Sequence, residues 1–400
     1  MSRKMLMASF FNCVIYVPCY IVRMNFDSFF LCQISCLSIV AFMRSKQKTI
    51  GEEEGKDDSQ NHIDYFSLTA DSTIYYELHG SSSNASTKLI MIMGSCATLR
   101  HFDENVEYLL HHYPSSIEIL IYDHRGIGHS KTATMPLTTE RQTSSFLAHD
   151  AYQLINHVWG NHVSVHVLGV SLGGMVAQEL ALLLIREQRL LSLYLGITTR
   201  GKRILVSGII KIEKRRQFES IISSQNIDPI LENNHIMLMY LGAYIRPLAL
   251  IPKWLFSRII LPYFVIKSNS EQTLRSLKSF IFNGFEEEEF EELILKWSHD
   301  FDKWFIFQDV EGWSHQNVTF NSHYLTNEHA KEIRDARVSI TVQICLQDKL
   351  LPPQKQQELA DLLDAKTVIM EDSGHMLNKH NRLKFSQSIF EHLQNANAEN

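Results

Sequence analysis

From residue 63 onward, short runs of β-branched, aliphatic and aromatic residues alternate with longer stretches whose apolar positions recur at helical spacing. Eight runs have the length and composition of strands: 63–69, 73–79, 88–93, 117–122, 163–169, 190–196, 339–346 and 366–371. Only Ala70-Asp71-Ser72 separates the first two, which predicts an antiparallel hairpin. The later runs are spaced widely enough for crossover helices, which predicts parallel pairing. This alternation specifies an α/β fold, a mostly parallel eight-stranded sheet with helices on both faces.

The rhythm stops between 201 and 337, a gap too long for one crossover. It holds helical patterns, four of the five tryptophans (Trp254, Trp297, Trp304, Trp313) and the acidic run "EEEEFEE" at 286–292. An inserted, mostly helical cap is predicted, with the tryptophans in its core and the acidic run as a solvated helix face. Residues 235–266 form an apolar tract broken by Pro247, Pro252 and Pro262, so it reads as several short helices. The α/β core therefore comes in two parts, 63–200 and 338–400, with the cap at 201–337 between them.

The first 43 residues have a different pattern. Two nearly uncharged apolar runs, 5–22 and 29–43, are separated by Arg23 and Asp27. A bilayer crossing needs roughly 17 to 25 apolar residues, so the first run is borderline and the second short unless they join. Two readings stay open: an apolar anchor that associates the protein with a membrane, or an upstream extension ahead of a start at Met43, which makes the protein cytoplasmic. Residues 44–62 are charged and without apolar periodicity, as in a solvated linker.

Composition narrows the classes. Of 400 residues, 45% are hydrophobic and 20% charged, which suits a globular chain with a large core. The net charge of -6, with both signs interleaved, gives no basic field for nucleic acid, and that partner is excluded. Four of the six cysteines (Cys13, Cys19, Cys32, Cys36) crowd the N-terminal end, leaving Cys96 and Cys345 beyond, so no disulfide framework is specified. Asn84-Ala-Ser and Asn317-Val-Thr are glycosylation triplets, which matter only in a lumenal domain.

The candidate chemistry begins at Gly169-Val170-Ser171-Leu172-Gly173. It fits G-x-S-x-G between a predicted strand and the apolar run "MVAQELALLLI", where a sharp turn exposes a serine hydroxyl. "YDHRGIGHS" (122–130), "LQDKLLPP" (346–353) and "EDSGH" (371–375) follow the fourth, seventh and eighth strands. With these segments the chain from about 63 to 395 resembles the α/β-hydrolase superfamily, whose triad runs Ser, Asp, His in chain order. The resemblance implies Ser171 as nucleophile, His375 as base and Asp348 as acid. An acid after the sixth strand is disfavoured, since "GITTRGKR" (196–203) has no carboxylate. Asp372 is read as serving the turn before His375, and Asp123 and Arg125 as shaping a loop.

The resemblance also implies an oxyanion hole from the backbone N–H groups of Leu172 and Ser95. Here the sequence departs from the pattern, having Met93-Gly94 where many members have His-Gly. Cys96 nearby is read as a buried thiol. A serine in the nucleophile position argues against relatives that use aspartate there, and leaves acyl transfer to water, with no metal or cofactor required. The substrate implied is a small-molecule or lipid ester, such as an acylglycerol, fatty-acyl or methyl ester, on account of the apolar tract and the N-terminal segment. A thioesterase or acyltransferase, a serine peptidase and a non-catalytic ligand-binding member remain alternatives.

Overall fold

The structure, a computed structural model, describes residues 61–69, 72–80, 85–95, 97–113, 116–130, 142–201, 278, 281–299, 316, 319–320 and 322–399. Eight strands form one sheet: β1 (Asn61–Thr69), β2 (Ser72–His79), β3 (Thr87–Ile92), β4 (Ile117–Tyr122), β5 (Val165–Val170), β6 (Leu190–Gly196), β7 (Ser339–Cys345) and β8 (Lys366–Met370). Their spatial order is β1-β2-β4-β3-β5-β6-β7-β8. β1 pairs antiparallel with β2, and β2 antiparallel with β4. All other neighbours are parallel, as the spacing of the runs predicts.

The period-2 alternation of side chains sorts the central strands onto two faces. In β3, Ile90 and Ile92 join one hydrophobic cluster while Leu89 and Met91 join the other. β4 divides the same way, Leu120 and Tyr122 against Ile117, Ile119 and Ile121. Strands buried on both faces read as continuous apolar runs, and for that reason they were legible.

Helices cover both faces. A 3₁₀ turn (Leu99–Phe102) leads into α1 (Asp103–His112), followed by α2 (Ser144–Trp159) and α3 (Leu172–Arg186). The later helices are α4 (Glu287–His299), α5 (Asn327–Asp335), α6 (Pro353–Leu363) and α7 (Lys379–Glu399). The first face is filled from α2, α3, α5 and α6 by residues such as Leu154, Val176, Leu180, Ile333 and Leu359. The second is filled from α1 and α7 by Val106, Leu109, Phe385, Ile389 and Leu393. Thr143 and Thr326 cap α2 and α5, each side chain accepting a backbone N–H three residues on.

Much of 201–337 lies outside the described residues, including the apolar tract 235–266 and residues 300–315 with Trp304 and Trp313. So do residues 1–60, Cys96, Asn84 and Asn317. Among the described residues, no helix is long and apolar enough to cross a membrane. The final part of 201–337 forms α5, whose Ala330 and Ile333 lie in the core beside the sheet. In the acidic run, Glu287 and Glu288 are exposed, but Glu289 accepts the backbone N–H of Lys379 at the start of α7. The run is thus a solvated face with one member used as a helix cap.

Candidate active site

β5 ends at Val170 and α3 begins at Leu172, so Ser171 alone makes the turn, with φ 55° and ψ -120°. A residue with a Cβ is strained there by about 1 to 3 kcal/mol and persists only where its surroundings over-determine it. They do so here. The Ser171 N–H donates to Gly196 O at 2.9 Å, and its carbonyl accepts from Thr198 Oγ1 at 2.7 Å and Gly174 N at 3.0 Å. A side chain at Gly173 would collide with the carbonyl oxygens of Ile92 and Met93, so the start of α3 sits directly against the end of β3.

His375 lies in the loop after β8, and its Nε2 is 3.0 Å from Ser171 Oγ, placed to accept the hydroxyl proton. Its Nδ1–H donates to Asp348 Oδ2 at 2.9 Å, in the loop after β7. The Asp348 carboxylate is buried, and three further donors converge on it: Leu350 N–H (2.8 Å) and Leu351 N–H (2.9 Å) on Oδ1, and Gln356 Nε2 (3.0 Å) on Oδ2. A carboxylate held on four sides cannot swing away from the imidazole. The two loops are also tied backbone to backbone, Leu346 N to Met370 O and Gln347 N to Ser373 O.

The Met93–Ser95 loop after β3 runs alongside. A Cβ at Gly94 would stand 3.1 Å from Ser171 Cβ, which measures how closely the backbone passes the serine. His124 Nε2–H donates to Met93 O at 2.8 Å and fixes that peptide. Burial holds the His124 pKa below its ordinary value, so the ring is a neutral donor at this carbonyl. Ser95 Oγ–H donates to the buried Gln316 Oε1 at 2.9 Å, fixing the residue whose N–H is expected in the oxyanion hole. The other expected donor, Leu172 N–H, is the first of α3. First-turn amides have no intrahelical acceptor and lie at the positive end of the helix dipole.

All these groups stand at the C-terminal ends of parallel strands β3, β5, β7 and β8, the edge where open α/β sheets gather their ligands. Sequence-level positions with other readings also find places. Asp123 is buried, its carboxylate accepting Leu99 N–H and His129 N–H, and Arg125 makes a two-pronged contact with Asp150. Both are committed to the loop. Asp372 contributes its carbonyl, which accepts Asn378 Nδ2. Burial pushes the Cys345 thiol up to about 12, leaving it unreactive. Among the described residues no cluster of three or more His, Cys, Asp or Glu side chains is arranged for a metal ion.

The sequence profile of the alpha/beta hydrolase family matches residues 78–386. The chain belongs to the alpha/beta hydrolase family. No curated protein matches it in sequence. Solved structures do match this hydrolase in fold. The enol-lactonase of Burkholderia xenovorans LB400 is 15% identical with a TM-score of 0.53, over 83% of this chain and 100% of that one. A structure from work on carboxylesterases of the ammonia-oxidizing thaumarchaeon Nitrososphaera gargenis is 14% identical with a TM-score of 0.54, over 84% and 100%. The esterase of Exiguobacterium antarcticum is 16% identical with a TM-score of 0.50, over 81% and 96%.

Four further residues surround the candidate site: His124, Gln316, Gln356 and Asn283. Gln356 is fully buried, and its Oε1 also accepts Cys345 N–H, so it joins the end of β7 to Asp348. Its signal was a glutamine on the inward face of an amphipathic helix, eight positions after the acid. His124 lies in the 122–130 segment between Asp123 and Arg125, with no local pattern that separates it from them. Gln316 and Asn283 had no local signal, because what they touch is distant in the chain.

Proposed function

We propose that this α/β hydrolase cleaves carboxylic esters through an acyl-enzyme on Ser171. What supports this is the unbroken hydrogen-bonded chain from the Ser171 hydroxyl through His375 to Asp348, at a strained turn beside the Met93–Ser95 loop. A serine hydroxyl is a weak nucleophile at its own pKa and needs a base at hydrogen-bond distance, which His375 Nε2 provides. As Ser171 Oγ attacks the ester carbonyl carbon, its proton passes to His375, and the carboxylate of Asp348 stabilises the imidazolium and holds its tautomer. The carbonyl oxygen becomes an oxyanion, bonded by the N–H groups of Leu172 and Ser95. His375 then returns the proton to the departing alkoxide. Water attacks the acyl-serine with His375 again as base, releasing the carboxylic acid and the free serine.

The substrate in this reading is a lipophilic ester, an acylglycerol, fatty-acyl or methyl ester. The support is compositional: the apolar tract 235–266 inside the proposed cap at 201–337, and the apolar segment 5–43, through which we place the protein at a membrane. A series of p-nitrophenyl esters from acetate to palmitate tests both halves. Rising kcat/KM with acyl length is the expected result. A preference for acetate by about tenfold, a difference of 1.4 kcal/mol in transition-state binding, overturns the lipophilic half. Failure to cleave any ester overturns the ester reading itself.

A further inference from the structure

The segment 281–285, within the insertion, is bonded to both loops that carry the acid and the base. Gly374 N–H, one residue before His375, donates to Asn283 O at 2.8 Å, and Met376 N–H, one residue after it, donates to Ile281 O at 2.7 Å. The Asn283 side chain turns to the other loop. Its Nδ2 donates to Gln347 O at 3.1 Å, one residue before Asp348, and its Oδ1 accepts from Lys349 Nζ at 3.4 Å, one residue after. One asparagine therefore touches both neighbours of the acid and, through its carbonyl, the residue ahead of the base.

The segment is itself anchored. Phe282 packs edge-on against Phe285 and Phe290, with ring centroids 5.4 and 5.3 Å apart, and all three are buried. Gly284 has φ +85°, and a Cβ there would strike Asp372 O, so the backbone lies flush on the histidine loop. Asn378 Nδ2 donates to both Gly284 O (2.9 Å) and Asp372 O (2.7 Å), closing the contact from the other side. Such a brace restrains rigid geometry of the kind on which proton transfer depends.

We propose that Asn283 is a positioning residue for the acid–base pair, and that through it the inserted region sets the alignment of His375 with Asp348. The proposal rests on the assignment of these two residues as base and acid. Asn283→Ala, in the full chain, is expected to lower kcat about tenfold while KM stays within about twofold, since the substrate is not touched. Asn283→Asp keeps the shape but turns an acceptor toward Gln347 O, and is expected to lower kcat at least as far. Lys349→Met, at an exposed position, is expected to act in the same direction and more weakly, and it serves where the Asn283 variants fail to fold.

A readout independent of turnover accompanies these. In Ser171→Ala protein, the far-downfield proton resonance of His375 Nδ1–H bonded to Asp348 is expected to shift or broaden when Asn283→Ala is added. Folded variants that keep both kcat and this resonance overturn the proposal, as does a loss carried by KM alone. A native protein that cleaves no ester, yet whose resonance responds to Asn283, would sink the ester reading and sustain the positioning role.

Discussion

The Ser171–His375 contact and a second group of serine–histidine contacts lie at opposite ends of the same parallel strands. At the C-terminal end Ser171 meets His375, whose other nitrogen donates to Asp348. Toward the other end, Ser192 on β6 meets two histidines, His166 on β5 at 2.8 Å and His392 on α7 at 2.9 Å. Thr341 on β7 bonds His392 Nδ1, and Asn397 Oδ1 accepts from His166 Nε2. The donors of this row point one way: Thr341 to His392, His392 to Ser192, Ser192 to His166, His166 to Asn397. Every ring is neutral in that arrangement, and burial drives the pKa of His166 down to about 4 and that of His392 to about 3.

The contrast isolates what the candidate site has besides adjacency. Ser192 lies within β6 beside a register shift in its pairing with β5, fully buried, and among the described residues no carboxylate bonds its histidines. Ser171 stands on a strained turn at the sheet edge, beside the Met93–Ser95 loop and the start of α3, and its histidine is backed by a carboxylate held on four sides. In the row the hydrogen bonds fasten α7 across β5, β6 and β7. At the edge the same kind of bond can pass a proton.

The two ends should respond differently to three changes. The largest effect is expected from Asp348→Asn, which leaves the shape intact but removes the acceptor that fixes the histidine tautomer; kcat should fall by about 10⁴. A loss under tenfold would return the acid role to another group. Ser192→Ala should leave kcat within about twofold yet lower the unfolding free energy by about 1 to 3 kcal/mol, read by urea titration, because two buried histidines lose a partner. Should activity vanish in a folded Ser192→Ala protein, the two sites would not differ as claimed.

The smallest effect is on pH. Because His166 and His392 have folded pKa values below the ordinary 6.5, the unfolded chain binds more protons than the folded one at mildly acid pH. Their contribution is complete above about pH 6.5 and is lost as pH falls from there toward 4, at up to about 1.4 kcal/mol per unit for each histidine. Urea midpoints at pH 7.5, 6 and 5 should fall in that order, and His392→Gln should flatten the slope. A slope unchanged by that substitution would remove the row as its cause.

How far the sequence led differs between the two ends in the same way. The strands were legible within about two residues, since a strand buried on both faces leaves a continuous apolar run. Ser171, Asp348 and His375 were legible because each follows a strand end in a motif with local turn chemistry. The row was not. His166 and Ser192 look like polar breaks in apolar strands until α7, some 200 residues away, brings His392 and Asn397 over them. Asn283 is hidden for the same reason, its partners lying more than sixty positions on. The Met93-Gly94 departure also became clear only in three dimensions, where His124 from the next strand's loop holds the Met93 carbonyl.

The central claim is that Ser171, and not another hydroxyl or thiol, is the attacking group. Treating the full chain with an active-site-directed fluorophosphonate, followed by peptide mapping, tests it most directly. A single adduct on Ser171 is the expected result, absent in Ser171→Ala and present in Ser192→Ala. Labelling that survives Ser171→Ala, or native protein that takes no label, would contradict it.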